Sequence, residues 1–248
     1  MSSHLTDLII ETIVRDAAGA GMVTGYREPL VRFASAADPR FDELQRMLPT
    51  HLSPEQMLPG ARSVIAYFLP FAACVVEANS QHRDQVAHEW STAYVETNAL
   101  IARISGHLAA ILAQHGIRSA AAAATHNYDP DTLTCPWSHK SVAVIAGLGS
   151  FGLHRMVITD AGCAGRFGSM VVDADLRLPP AEVRERCLYF YDGSCTECVS
   201  RCPVDALSED GGMDKQRCHR RLLDIAAEHG AKACGKCAMG PCALEAAV

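Results

Sequence analysis

The chain has 248 residues, 49% of them hydrophobic, and its 22 Lys and Arg against 28 Asp and Glu give a formal charge of -6. That length and composition suit a globular protein with a substantial core, as one large domain or one domain with a small appendage. The acidic balance excludes a chain whose whole surface grips a polyphosphate backbone and leaves open only a local basic patch.

The opening MSSHLTDLIIETIVRDAAG carries Asp7, Glu11, Arg15 and Asp16 among its apolar residues, unlike a signal peptide, and residues 4–18 are predicted to form an amphipathic helix. After the turn-like Leu58-Pro59-Gly60, the segment ARSVIAYFLPF (61–71) reads as a buried strand, being short and rich in Val, Ile, Tyr and Phe, with a helix to follow. The longest apolar run, Val64 to Val76, contains Pro70 and is well short of the ~20 residues that span a bilayer. A cytoplasmic protein with no membrane partner is expected. From 89 to 115, apolar residues at Leu100, Ile104, Leu108, Ile111 and Leu112 predict a helix capped by Gly116. The alanine-rich stretch that follows fits either a helix or a buried strand ending at Asn127-Tyr128-Asp129-Pro130. Residues 137–146 are predicted as a helix leading into GLGSFG, and HRMVIT and SMVVDADL as strands on either side of DAGCAGRFG. This alternation favours an α/β or α+β sheet-and-helix domain. Leu178-Pro179-Pro180 then divides a cofactor- or substrate-binding domain, residues 1–180, from a module, residues 181–248, in which a metal replaces a large apolar core.

Eleven cysteines without a secretion signal argue for metal or catalysis rather than disulfides. Cys74, Cys135 and Cys163 are scattered, whereas Cys187, Cys195, Cys198, Cys202, Cys218, Cys234, Cys237 and Cys242 fall together. Cys195-x2-Cys198-x3-Cys202-Pro203 reproduces the last three positions of the ferredoxin pattern C-x2-C-x2-C-x3-C-P, whose fourth cysteine serves the other cluster. Asp192 stands at the first position, so either its carboxylate or the Cys187 thiolate completes the set. Cys187 is favoured, because thiolate is the usual cluster ligand. Pairing as in two-cluster ferredoxins puts Cys187, Cys195, Cys198 and Cys242 on one [4Fe-4S] cluster and Cys202, Cys218, Cys234 and Cys237 on the other. Structural zinc on the two C-x2-C pairs is the bland alternative, but it leaves Cys202, Cys218 and Cys242 without a role. Arg201, Arg217, Arg220 and Arg221 are candidates to raise the cluster potentials, or simply a solvated helix face.

The order of ARSVIAYFLPF, SVAVIAGLGSFGLHRMVIT, GCAGRFGSMVVDADL, CTECVSRCPVDAL, Arg217-Cys218 and CGKC resembles that of epoxyqueuosine reductases and, more distantly, corrinoid-dependent reductive dehalogenases. The resemblance covers most of residues 60–242, in a short form lacking the C-terminal helical repeats of some relatives. It implies an α/β domain that cradles a corrinoid (cobalamin) and a ferredoxin-like module with two [4Fe-4S] clusters, the inner one reducing the cobalt. It places the cofactor against Gly147, Leu148, Gly149, Gly152, Gly165 and Ser169, where glycine lets the backbone approach a flat ligand. It also implies an acidic proton donor within 129–139, for which Asp131 and His139 are the catalytic candidates. His139 reads as a general acid or an axial ligand, although a lone histidine at a helix start is more often a surface or capping residue. Where the family has Lys-Asn after the glycine segment, this chain has His154-Arg155, and Cys163 reads as packing. GLGSFG follows a predicted helix rather than a strand, which excludes a dinucleotide fingerprint.

The expected function is an iron–sulfur oxidoreductase that passes low-potential electrons to a cofactor or substrate in the N-terminal domain. The alternative is a non-catalytic electron-transfer or activator protein that docks on a corrinoid or flavin enzyme. A zinc-stabilised binding module is the third reading. A ferredoxin, flavodoxin or corrinoid protein is the expected redox partner, and tRNA is not supported by the net charge.

Overall fold

The computed structural model describes residues 2–19, 21–124, 127–176 and 184–248, so the expected divider at Leu178-Pro179-Pro180 lies outside the described residues. Helix α1 is Ser2–Ala18, and Ile9, Ile13 and Ala17, four residues apart, form its buried face. Strand β1, Leu30–Ser35, has no counterpart in the sequence reading. Helix α2, Pro39–Met47, starts where the Asp38 side chain accepts the Arg40 N–H, and α3, Pro54–Met57, starts at a reciprocal Ser53/Gln56 capping box. Strand β2, Ser63–Pro70, and helices α4, Ala73–Ser80, and α5, His88–Gln114, match the expected strand and two helices. The ambiguous alanine stretch contributes only β3, Ser119–Ala120.

Helix α6, His139–Ile145, comes next, and strands β4, Gly149–Phe151, β5, Val157–Thr159, and β6, Gly165–Val172, follow it. GLGSFG is therefore partly strand. The cysteine-rich segment forms α7, Leu188–Asp192, α8, Glu197–Ser200, α9, Lys215–His229, and a 3-10 turn at Lys236–Ala238.

The main sheet has the order β1-β2-β6-β3 and β4 pairs with β5, and all these pairings are antiparallel. The architecture is thus a mixed α and β fold, without parallel βαβ crossovers among the described residues. All eight residues of β2 are buried. Ile65, Tyr67 and Leu69 pack with Ile9, Ile13, Leu100 and Ile104 on one face, and Val64, Ala66 and Phe68 pack with Phe41, Val142 and Phe167 on the other. Helices on both faces explain why β2 is apolar throughout rather than alternating. A third apolar cluster joins Phe71, Val75 and Trp90 to Leu153, Ile158, Ile225 and several of the cysteines, so the cysteine-rich segment rests on α4 and α5.

Arg27 ties three distant segments together. Its guanidinium donates to the carbonyls of Phe71 at 2.9 Å, Ala161 at 2.8 Å and Leu244 at 2.6 Å. Hydrogen bonds from charged donors contribute more than neutral ones, and their loss leaves half-buried carbonyls unpaired. Arg27→Ala is expected to cost about 2–4 kcal/mol, seen as a lower urea midpoint at unchanged slope. No helix among the described residues is long and apolar enough to cross a membrane.

Candidate metal centre

The cysteines arrive from five short stretches of chain. Cys187 precedes α7, Cys195 and Cys198 flank the start of α8, Cys202 follows it, and Cys218 lies in the first turns of α9. Cys234 and Cys237 surround Gly235 and Lys236, and Cys242 lies beyond the 3-10 turn. Cys187, Cys195, Cys198 and Cys242 line one cavity together with His154 and Cys237. Burial, then the neighbouring charges of Cys242, Cys187 and Cys195, push the Cys198 thiol up to about 12. Burial, then Cys234 and Cys202, push Cys218 up to about 11. Cys237 is raised by burial, then by Cys234, Cys218, Cys198 and Cys202. Thiols crowded in this way resist becoming thiolates together unless a cation compensates them. Asp192 lies apart from this group: its carboxylate is exposed and accepts the Ser194 N–H at 2.9 Å.

The loop of Cys234 and Cys237 is seated on α4 and α5. The Cys234 carbonyl accepts from Asn79 Nδ2 at 3.1 Å, and the buried Lys236 donates to Asn79 Oδ1 at 3.0 Å. A Cβ on Gly235 would lie 2.2 Å from the Trp90 ring, so the loop lies flat on the indole. Burial lowers Lys236 to about 8, against the raising charge of Cys234. The Lys140 ammonium bonds the Arg155 carbonyl at 3.1 Å; burial pulls it down against the charges of Cys237, Cys135 and Cys218. Arg166 lies 4.2 Å over the Tyr94 ring and donates to Asn98 Oδ1 at 2.8 Å. Sequence reasoning missed Lys140, Arg166 and Lys236. A lysine between the cysteines of CGKC was the one available signal.

Arg201 pairs with Glu197 at 2.8 Å and Arg217 with Asp214 at 3.5 Å, which makes them part of solvated helix faces. Arg221 donates to the Asp84 carbonyl and Arg220 is exposed.

Of the six residues expected to cradle a corrinoid, Leu148, Gly149, Gly152 and Ser169 are buried and Gly147 and Gly165 are half-buried. A Cβ would lie 2.1 Å from the Ile158 carbonyl oxygen at Gly149, 2.8 Å from His154 Cε1 at Gly152, and 2.4 Å from the Leu69 carbonyl oxygen at Gly165. Gly147 closes α6 through its N–H to the Val144 carbonyl at 3.0 Å, and Leu148 and Ser169 are 3% and 1% exposed. Gly149, Gly152 and Gly165 thus make room for neighbouring backbone and side chains of the chain itself.

His139 and Asp131 do not meet. Asp131 is exposed, and its carbonyl accepts from Gln216 Nε2 at 3.2 Å. His139 is buried, with Nδ1 2.7 Å from Ser169 Oγ and Nε2 3.3 Å from the Ala123 carbonyl, so both ring nitrogens are committed to the fold. Burial lowers its pKa from 6.5 to about 4. The unfolded chain takes up this proton as pH falls through 6.5, while the folded chain does not. Stability is thus complete above pH 6.5 and declines towards pH 4, by roughly 3 kcal/mol at full effect. Urea midpoints of His139→Gln should change less than those of the parent between pH 7 and pH 4.5.

No protein-family model matches the chain. An epoxyqueuosine reductase of Aliivibrio fischeri is 34% identical over 92 residues, covering 37% of this chain and 23% of that protein. A crystal structure of epoxyqueuosine reductase with an epoxyqueuosine-modified tRNA stem loop aligns with TM-score 0.61 at 21% identity, over 96% of this chain and 66% of the other. The chain resembles epoxyqueuosine reductases and shares their fold. A reductive dehalogenase whose structure bears on B12-dependent dehalogenation aligns with TM-score 0.58 at 16% identity, over 86% of this chain and 29% of the other. The chain thus matches about a quarter of the Aliivibrio epoxyqueuosine reductase by sequence and under two thirds of these aligned structures. The epoxyqueuosine reductase in the first of these structures is bound to a tRNA stem loop, in tension with the expectation that tRNA is not supported by the net charge.

Proposed function

We propose that this chain is an iron–sulfur oxidoreductase of the epoxyqueuosine reductase type. One [4Fe-4S] cluster is held by Cys187, Cys195, Cys198 and Cys242 and the other by Cys202, Cys218, Cys234 and Cys237. The observation that carries this reading is the gathering of the thiols: Cys187, Cys195, Cys198 and Cys242 line one cavity, Cys218 is flanked by Cys234 and Cys202, and Cys237 lies between the two sets, next to Cys198 as well as to Cys234 and Cys218. Eight soft ligands around two centres suit cubanes, and a single tetrahedral zinc would use only four. When bound, the clusters supply low-potential one-electron transfer. The chain positions the sulfurs, keeps water from the buried ones, and sets cations beside them at Lys140 and Lys236.

The electrons come from an external one-electron carrier of the ferredoxin or flavodoxin class. Their acceptor is a substrate or cofactor held against the N-terminal body. A corrinoid acceptor draws support from the B12-dependent relative. Four of the six expected contacts, Leu148, Gly149, Gly152 and Ser169, are buried, so no step is assigned to a corrinoid. The same observation favours, as the second reading, an electron carrier that delivers to a partner's cofactor. Two tests separate these readings. Stepwise reduction of the anaerobic protein should give the paramagnetic signals of two reduced clusters. Added cobalamin should then be reduced within the chain's own complex under the first reading, and only in the presence of a partner enzyme under the second.

A further inference from the structure

The sulfur of Cys242 is met from the N-terminal body by two donors. His154 Nε2 is 3.4 Å from it and Cys163 Sγ 3.9 Å, and the three atoms lie within 4.8 Å of one another. His154 is 3% exposed and sits in the turn between β4 and β5, which is closed by the Arg155 N–H to the Gly152 carbonyl at 2.9 Å. Its Nδ1 accepts the Met156 N–H at 3.0 Å. A nitrogen that accepts carries no proton, so the neutral ring holds its proton on Nε2, the nitrogen that faces Cys242. Gly152 makes room for the ring, since a Cβ there would lie 2.8 Å from His154 Cε1 and 3.2 Å from Nδ1. The acceptor is fixed as firmly: the Cys163 N–H donates to the Cys242 carbonyl at 2.9 Å and the Ala164 N–H to the Ala243 carbonyl at 3.0 Å. Donor and acceptor are both clamped by backbone, across a sequence separation of 88 residues.

We propose that His154 is a positioning residue whose Nε2–H bonds the Cys242 sulfur and raises the reduction potential of the cluster on Cys187, Cys195, Cys198 and Cys242. This inference rests on the cluster reading above. Hydrogen bonds to the sulfurs are among the determinants of cluster potential, and a donor to a charged acceptor makes a stronger bond than one to a neutral acceptor. On reduction, one electron from an external one-electron donor enters the iron–sulfur core and increases the negative charge shared by its thiolates. The bond from Nε2 then strengthens, no bond of His154 breaks, and its proton stays on Nε2. The reduced form gains more than the oxidised form, so the potential rises. The cluster held by the other four cysteines lacks this contact and should not respond.

The test is a redox titration of the anaerobic holoprotein, followed by the paramagnetic resonance of each reduced cluster, with iron counted in every sample. In His154→Leu the oxidised-to-reduced ratio of one cluster at fixed potential should rise about tenfold, equivalent to ~59 mV for one electron, with iron unchanged. His154→Gln, which keeps an N–H donor, should lie near the parent. Equal potentials in the parent and both variants overturn the proposal. Loss of half the iron from both variants also overturns it, by making His154 a ligand. The parent itself supplies a check that needs no variant: its reduced cluster should show coupling to an exchangeable proton and to a histidine nitrogen, and absence of both overturns the proposal. A parent with no cluster signal instead defeats the cluster reading on which the proposal rests.

Discussion

Cys237→Ser is expected to halve the iron of the anaerobic protein, from about eight to about four per chain, and to abolish one of the two cluster signals. Cys237 is surrounded by Cys234, Cys218, Cys198 and Cys202, and its thiol is raised by burial and by those neighbours, with the Lys140 ammonium as the nearby cation. A hydroxyl is a poor ligand for iron in a sulfur-rich site. Cys187→Ser should remove the other cluster. Asp192→Asn should leave the iron unchanged, because that carboxylate faces solvent and binds the Ser194 N–H. Iron loss from Asp192→Asn alone would reverse the choice between the two residues.

Gly162→Val should both destabilise the fold and release the cluster that uses Cys242. Gly162 has φ +76, and a Cβ there would lie 2.3 Å from the Ala243 carbonyl oxygen and 2.6 Å from two backbone carbons of residues 243 and 244. No rotamer change relieves a clash with backbone. The left-handed strain costs about 1–3 kcal/mol and the overpacking a similar amount, so a loss of roughly 2–6 kcal/mol is expected in the urea midpoint. The seam it opens is the one that holds Cys242, and iron should fall with stability. Gly230→Ala separates the two causes: φ is +71 there and nothing lies within 4 Å of the added Cβ. That variant should show the strain alone, with iron retained.

The parts of this protein that were legible in its sequence are those whose signal is local. Helices α1 and α5 carry apolar residues at helical spacing, β2 is a bounded apolar run, and the cysteines announce themselves by type and spacing. Strand β1 escaped because Val31, Phe33 and Ala34 are its only buried residues, too short an alternation to separate from a loop. The antiparallel pairing was not legible because alternation of helix and strand does not state strand direction, and β2 meets β6 across about a hundred residues, as in Ile65 against Met170. The glycines were legible as a motif, but the close contacts they make were not. Gly149, Gly152 and Gly165 leave space for Ile158, the His154 ring and Leu69; His154 is a near neighbour of Gly152 in sequence, whereas Leu69 reaches Gly165 only across the β2–β6 pairing. His139 offered imidazole chemistry, and the fold uses it as a buried, neutral link between Ser169 and Ala123. Lys140, Arg166 and the bond from His154 to Cys242 depend on chain packing that no spacing reveals.

The central claim is that the eight cysteines form two cubane sites, and the most direct measurement is the metal and Mössbauer spectrum of the anaerobically isolated protein. About eight irons per chain, all in the pattern of [4Fe-4S] clusters and accompanied by brown absorbance, is the expected result. One or two zinc ions per chain, with no iron and no visible absorbance, would contradict it.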